Sequence, residues 1–226
     1  MKGFDMERPP REMVENLKKM YTGLIQDACD EVLGLSVRTW MDARLRPIFD
    51  EAVVVGPAIT LRMVPPSFHS VKARTGLKLA FKAIEQAQSG DVFVVGGGLT
   101  DSGMWGEMMS IVGKRKGLNG AIVDGGVRDV MAIREMRFPV FYQNPVVTTA
   151  QTRLETVEVN EPVDCGGRTV RPGDLVFADY DGVVVVPKDS IEKIYPLCLE
   201  YFEKEKAQRE ALKSGAALTD LMEDIL

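Results

Sequence analysis

Between residues 91 and 144 the chain repeats one arrangement: a short apolar run, a glycine turn, then a stretch with helical spacing. DVFVVGGG (91–98) leads to WGEMMSIVGKRKG (105–117), GAIVDGG (120–126) leads to RDVMAIREM (128–136), and FPVFYQN (138–144) closes the series. Apolar runs bounded by glycine predict strands buried on both faces. Strands that alternate with helices must cross over and pair in parallel. This rhythm constrains the fold to α/β, centred on a parallel sheet.

The flanks are less regular. Met13, Leu17, Met20, Leu24, Ile25, Ala28 and Val32 recur at helical spacing, predicting a helix over 10–34 that starts after Pro9-Pro10 and closes at Gly34. AVVVGPAITLRMV (52–64) predicts extended chain, as two short strands or one bent at Gly56-Pro57, and residues 70–89 predict a second helix. After residue 150, TRLETVEVN reads as a strand and VDCGGRTVRPGD as turns between short strands. LVFADYDGVVVVP reads as a strand pair around Tyr180-Asp181-Gly182, and a long charged helix runs from Ser190 to about Ser214. No linker-like or low-complexity stretch interrupts the chain, so residues 1–226 are expected to form one domain with helices at both termini.

Composition removes several kinds of chemistry. Lys plus Arg is 28 against 33 for Asp plus Glu, a net charge of −5, which disfavours general binding to nucleic acid. The single histidine, His69, excludes a His-rich zinc site within one subunit, and any histidine-based triad would have to use it. Cys29, Cys165 and Cys198 form no C-x-x-C and suit a reducing cytoplasm. No signal-peptide h-region or 18-residue apolar run occurs, so a cytoplasmic protein without membrane partners is expected. Carboxylates, arginine, backbone amides and a hard metal ion are left to carry any catalysis.

In an open parallel sheet, ligands bind beyond the carboxyl ends of the strands. The turns after 91–95 and 120–124 therefore come first. Glu107 falls in the first turn of one crossover helix and Arg128-Asp129 open the next; adjacent strands would bring them to the same edge, beside unpaired helix-terminal amides. Acidic residues are common at helix starts because they complement the macrodipole, but an arginine there opposes it and calls for another reason. Mg²⁺ or Mn²⁺ would suit this set: Asp129 as direct ligand, Glu107 through water, Arg128 on a substrate carboxylate or keto oxygen, and the amides around Gly106, Met108 and Met109 on a carboxylate oxygen. Such a site would stabilise an enolate.

The run GGGLTDSGMWGEMMSIVGKRKGLNGAIVDGGVRDVMAIREMRFPVF resembles the RraA-like family, whose aldolase branch carries Gly-Asp/Glu, about twenty residues, then Arg-Asp; here these are Gly106-Glu107 and Arg128-Asp129. The resemblance extends more loosely over about residues 15–215. It implies a parallel-centred αββα-type sandwich similar to a swivelling β/β/α domain. It also implies a class II, metal-dependent pyruvate aldolase, a carbon–carbon lyase acting on 4-hydroxy-4-methyl-2-oxoglutarate or 4-carboxy-4-hydroxy-2-oxoadipate, with oxaloacetate decarboxylation as a side activity. Asp129 then matches the metal ligand, Glu107 the acid on a metal-bound water, and Arg128 the pyruvyl-binding arginine. The resemblance further implies that a glutamate from a neighbouring subunit's C-terminal helix (190–215) approaches the metal waters, with Glu205 as the best match and Glu203 next. Homotrimers or hexamers are implied. The family also includes ribonuclease regulators, so a non-catalytic inhibitor of a ribonuclease is the alternative; Glu107 together with Arg128-Asp129 favours the enzyme.

Other residues weigh less. Trp105 and Met104 offer an apolar rim or core packing, His69 with Ser70 and Lys72 lies at a helix start, and Asp179 and Asp181 flank a turn. A dinucleotide enzyme fails on spacing, since the third glycine after Gly96 and Gly98 would fall at Asp101. A Schiff-base aldolase lacks a lysine within a predicted central strand.

Overall fold

The computed structural model describes residues 4, 6–73 and 75–221; the side chains of Ser70, Lys72 and Ala73 lie outside the described set. Elements run α1 (Arg11–Leu17), α2 (Thr22–Leu33), β1 (Arg46–Pro47), β2 (Val54–Val64), α3 (Phe68–Ala73), α4 (Lys78–Gln86), β3 (Val92–Trp105), α5 (Glu107–Lys116), β4 (Gly120–Val127), α6 (Val130–Met136) and β5 (Val140–Pro145). They continue with β6 (Glu155–Val159), β7 (Val163–Cys165), β8 (Arg168–Val170), β9 (Leu175–Asp179), β10 (Gly182–Val186), α7 (Ile191–Lys213) and α8 (Leu218–Leu221).

The main sheet has the order β1-β5-β4-β3-β2-β9-β10, with β6 added on β2. Strands β2, β3, β4 and β5 are mutually parallel, as the strand–helix rhythm requires, and the outer pairings are antiparallel. Val92 to Val95, Ala121 to Val123 and Val140 to Phe141 are all fully buried, which explains their unbroken apolar runs. A core of β2–β5 side chains packs with Ala80, Ala83, Ile84, Ile133 and Phe138 from the helices and the turn after them. A second core joins α1, α2 and α7 to β9 and β10 through Leu17, Ile25, Phe177 and Ile194. Cys29 and Cys198 lie in it, and burial pushes both thiols up to about 12.

Three sequence expectations change in detail. The helix over 10–34 is two helices, broken between Lys18 and Tyr21, because Thr22 starts α2 on a distant acceptor: its N–H and hydroxyl donate to Asp179 at 2.8 and 2.7 Å. Asp179 thus caps a helix, in addition to accepting the turn N–H of Asp181 at 3.0 Å. Residues 70–89 form α3 and α4, parted by the Thr75-Gly76-Leu77 turn. Within 52–64 the expected alternative of a single strand holds: Val54–Val64 is continuous and changes neighbours at Gly56-Pro57, from β9 to β3. Glycines 96–98 do not end β3, which continues to Trp105 with register shifts against β4.

Candidate active site

Parallel pairing of β3 and β4 brings the ends of both strands to one edge, and the two predicted helix starts meet there. Arg128 donates its backbone N–H to the Trp105 carbonyl at 3.1 Å, fastening the end of β4 to the end of β3. The Glu107 N–H then donates to Asp129 Oδ2 at 3.3 Å, and Arg128 Nε reaches the two Asp129 oxygens at 3.2 and 3.1 Å. Glu107 and Asp129, 22 residues apart in sequence, therefore form one constellation with Arg128.

Its local backbone is specialised. Asp129 sits at φ 58°, in the left-handed region that a non-glycine residue occupies at a cost of about 1 kcal/mol or more. Gly103 and Gly106 leave room for the arginine stem: a Cβ on Gly106 would lie 3.0 Å from Arg128 Cγ and 3.1 Å from Asp129 Oδ2, and one on Gly103 3.0 Å from Arg128 Cγ. Below this edge, buried Trp105 donates its indole N–H to Ser110 Oγ at 2.8 Å, and Ser110 Oγ donates to the Gly106 carbonyl at 3.0 Å. Ser110 is a positioning residue that sequence reasoning missed; its place one helical turn after the Gly-Glu pair was the available signal.

The amides of Met108 and Met109 belong to the first turn of α5 and have no intrahelical acceptor. The Glu107 carboxylate is half-buried and has no hydrogen-bond partner among the described residues. Trp105 and Met104 are not the rim: both are buried, with Trp105 stacked on Phe138 at 6.3 Å. The exposed apolar side chains on the elements around the constellation include Met108, Ile111, Met131 and Val147. His69 is exposed on α3, edge-on to Phe68, and shares no hydrogen bond with the constellation. Glu205 and Glu203 lie on α7, paired with Arg209 at 3.4 Å and Lys206 at 3.7 Å, and are not joined to Asp129 by any bond among the described residues.

The donor set is two carboxylates, with no cluster of three His, Cys, Asp or Glu residues able to hold a metal among the described residues. That fits a hard cation that takes one or two carboxylates and fills its remaining positions with water and substrate oxygen, as Mg²⁺ and Mn²⁺ do. It does not fit a closed structural zinc site. Two cavities, of about 720 and 730 Å³, have other linings: one lies between α4 and the segment 149–154, and one is lined by the end of β2, by Gly97 and Gly98 within β3, and by Asp124 and Asp164.

The family model RraA-like, described as Aldolase/RraA, matches residues 25–185. MJ0644 of Methanocaldococcus jannaschii is 34% identical over 79% of this chain and 82% of its own length. A provisionally named 4-hydroxy-4-methyl-2-oxoglutarate aldolase of Halalkalibacterium halodurans is 30% identical over 91% of this chain and 89% of its own. Among solved structures, Streptomyces coelicolor RraAS2, described as an unusual member of the RNase ES inhibitor RraA family, superposes with a TM-score of 0.75 at 30% identity. That match covers 90% of this chain and 98% of RraAS2.

Proposed function

The chain belongs to the RraA-like family, and from that premise we propose that it is a divalent-metal-dependent aldolase. It would cleave a 4-hydroxy-2-oxo acid of the 4-hydroxy-4-methyl-2-oxoglutarate kind into pyruvate and a second carbonyl compound. The observation that carries this reading is the meeting of Asp129, Arg128 and the start of α5 at one sheet edge, with Glu107 unpartnered beside them. The name of the Halalkalibacterium relative supports it.

Arg128 uses only its Nε on Asp129, leaving its terminal N–H groups for the substrate's carboxylate and keto oxygens. As the C3–C4 bond breaks, its electron pair becomes the enolate of pyruvate, and the guanidinium holds the charge that grows on the keto oxygen. The Met108 and Met109 amides would take the second carboxylate oxygen. Glu107 would move the proton, accepting it from the C4 hydroxyl and returning it to C3 of the enolate. Bound Mg²⁺ or Mn²⁺, held by Asp129 with Glu107 nearby, would supply Lewis-acid stabilisation of the same charge. Oxaloacetate decarboxylation yields the same enolate and is the expected side activity.

Met108, Met131 and Val147 are apolar surface that a neighbouring copy would cover, consistent with a trimer or hexamer in which Glu205 of the next subunit completes the site. No helix among the described residues is long and apolar enough to cross a membrane, and a cytoplasmic location is proposed. The similarity to RraAS2 favours a second reading, a ribonuclease-binding regulator without catalysis. Pyruvate release from 4-hydroxy-4-methyl-2-oxoglutarate and from oxaloacetate separates the two. Release with Mg²⁺, lost on adding EDTA and in Asp129→Ala, supports the aldolase; silence on both substrates with folded, metal-loaded protein supports the regulator.

A further inference from the structure

The cavity of about 720 Å³ between α4 and the segment 149–154 has Thr149 in its wall. The residue before it, Thr148, packs on the same glycine as the arginine of the constellation. A Cβ on Gly103 would be 3.1 Å from the Thr148 carbonyl oxygen and 3.1 Å from Arg128 Cδ. That carbonyl also accepts the Gly103 N–H at 3.2 Å, so the segment is fastened where the arginine stem lies. One residue of backbone separates the cavity wall from that contact.

The helices give a second bearing. Both α4 and α5 run from the carboxyl edge of the sheet to its amino edge, and they are fastened side by side. Glu85 pairs with Arg115 at 3.2 Å, and its carbonyl accepts from Lys116 Nζ at 2.7 Å. Seven residues back along each helix, Lys78 stands level with Met108, about one interhelix spacing of 8–10 Å away. The Lys78 end of the cavity is therefore level with the first turn of α5.

The wall is mainly apolar, with Leu77, Phe81 and Leu154, and Phe81 is half-exposed on it, free to stack on a ring. Lys78 and Lys82, one turn apart on one face of α4, also line the cavity, and neither is ion-paired among the described residues. A cavity of this size and lining suits an apolar, ring-sized group that carries an anion. It is far larger than the methyl and carboxymethyl groups on C4 of 4-hydroxy-4-methyl-2-oxoglutarate.

We propose that the cavity receives the C4 substituent of the substrate, and that this substituent is an aromatic ring bearing a carboxylate. The proposal rests on the aldolase reading and names its substrate class, the 4-aryl-4-hydroxy-2-oxobutanoates. The ring packs on Leu77, Phe81 and Leu154, and its carboxylate is held by Lys78 and Lys82. When the C3–C4 bond breaks, C4 becomes the carbonyl carbon of an aromatic aldehyde and its hydroxyl proton passes to Glu107. C3 keeps the electron pair as the pyruvate enolate and takes the proton back, so no further reactant is needed.

The test compares pyruvate release, with Mg²⁺, from 4-(4-carboxyphenyl)-4-hydroxy-2-oxobutanoate, 4-hydroxy-4-methyl-2-oxoglutarate and oxaloacetate. The aryl substrate is expected to exceed the methyl one by at least about tenfold in kcat/KM. Phe81→Ala should cut the preference for the aryl substrate over oxaloacetate roughly tenfold. The double substitution Lys78→Ala, Lys82→Ala should raise the aryl KM severalfold, and less so for the same substrate without its ring carboxylate. A preference for the methyl substrate overturns the proposal, and so does an unchanged aryl-to-oxaloacetate ratio in Phe81→Ala. Oxaloacetate turnover without cleavage of the aryl substrate overturns it while leaving the aldolase reading in place. Silence on all three, with folded, metal-loaded protein, overturns both.

Discussion

Two arginine–aspartate pairs stand at opposite ends of the same parallel strands. Asp91 precedes β3, at the amino end of the sheet, and is 0% exposed; Arg8, 83 residues away, lies 21% exposed with its Nε 2.8 Å from Asp91 Oδ1. The rest of that pair is satisfied too: Arg8 Nη2 donates to Asp91 Oδ2 at 3.1 Å, Arg8 Nη1 to the Phe4 and Met6 carbonyls, and the Gln88 N–H to Asp91 Oδ2 at 2.7 Å. At the carboxyl end, Arg128 and Asp129 are adjacent in sequence, 40% and 31% exposed, held at 3.1 Å through one nitrogen, with the aspartate in a left-handed conformation. The first pair has spent its bonding capacity on closing the fold. The second retains unused donors and acceptors on a strained backbone, which suits a third party such as a substrate or an ion.

The sharpest way to break this comparison is to neutralise one member of each pair. Asp129→Asn is expected to lower pyruvate release by roughly 10³-fold while leaving the urea midpoint in place, since an exposed pair contributes little to folding. Arg8→Ala should do the reverse. It strands the Asp91 carboxylate without a counter-charge and should cost about 3 kcal/mol of stability, with kcat per folded molecule unchanged. Equilibrium unfolding and steady-state assays on the same preparations read both. A loss of activity in folded Arg8→Ala would show that the amino end of the sheet also serves the chemistry.

A smaller effect tests the room kept around Arg128. Gly106 has an extended backbone that any residue can adopt, so Gly106→Ala introduces only a methyl group, 3.0 Å from Arg128 Cγ and 3.1 Å from Asp129 Oδ2. Displacing both side chains by a few tenths of an ångström should reduce kcat/KM roughly 10-fold and change stability by less than about 1 kcal/mol. An unchanged kcat/KM would mean that the constellation is not held as tightly as its function requires.

The same contrast explains what could be read from the sequence. Glu107, Arg128 and Asp129 were legible because each closely follows a strand, and parallel pairing of neighbouring strands is enough to bring such positions together. The Arg8–Asp91 pair was not, since nothing local to either residue indicates a partner 83 positions away. The break between α1 and α2 has the same cause: Thr22 starts its helix on Asp179, and no proline or glycine between Lys18 and Tyr21 marks the site. Glycines 96–98 misled in another way. They read as a turn, yet Gly96 and Gly97 lie within β3, because a Cβ there would stand 2.2 Å from the Asp164 carbonyl and 2.4 Å from the Met63 carbonyl. Glycine in a strand marked close backbone approach rather than a strand end.

The last prediction extends the comparison to a third pair, Arg209–Glu205 on α7, at 3.4 Å and one helical turn apart. Judged within one chain it is a surface pair, and Glu205→Gln should shift stability by less than about 0.5 kcal/mol. Completion of the site by a neighbouring copy gives it a different role, and activity should then fall roughly 10-fold without loss of assembly. Mixing subunits separates these cases. In an assembly where each site takes Asp129 from one chain and Glu205 from the next, co-assembled Asp129→Asn and Glu205→Gln subunits form some sites with both residues native, and activity rises above that of either variant alone. Sites built within a single chain recover nothing on mixing. Recovery would make Glu205 a residue whose chemical role is invisible in the isolated fold, where Arg209 is the partner it shows.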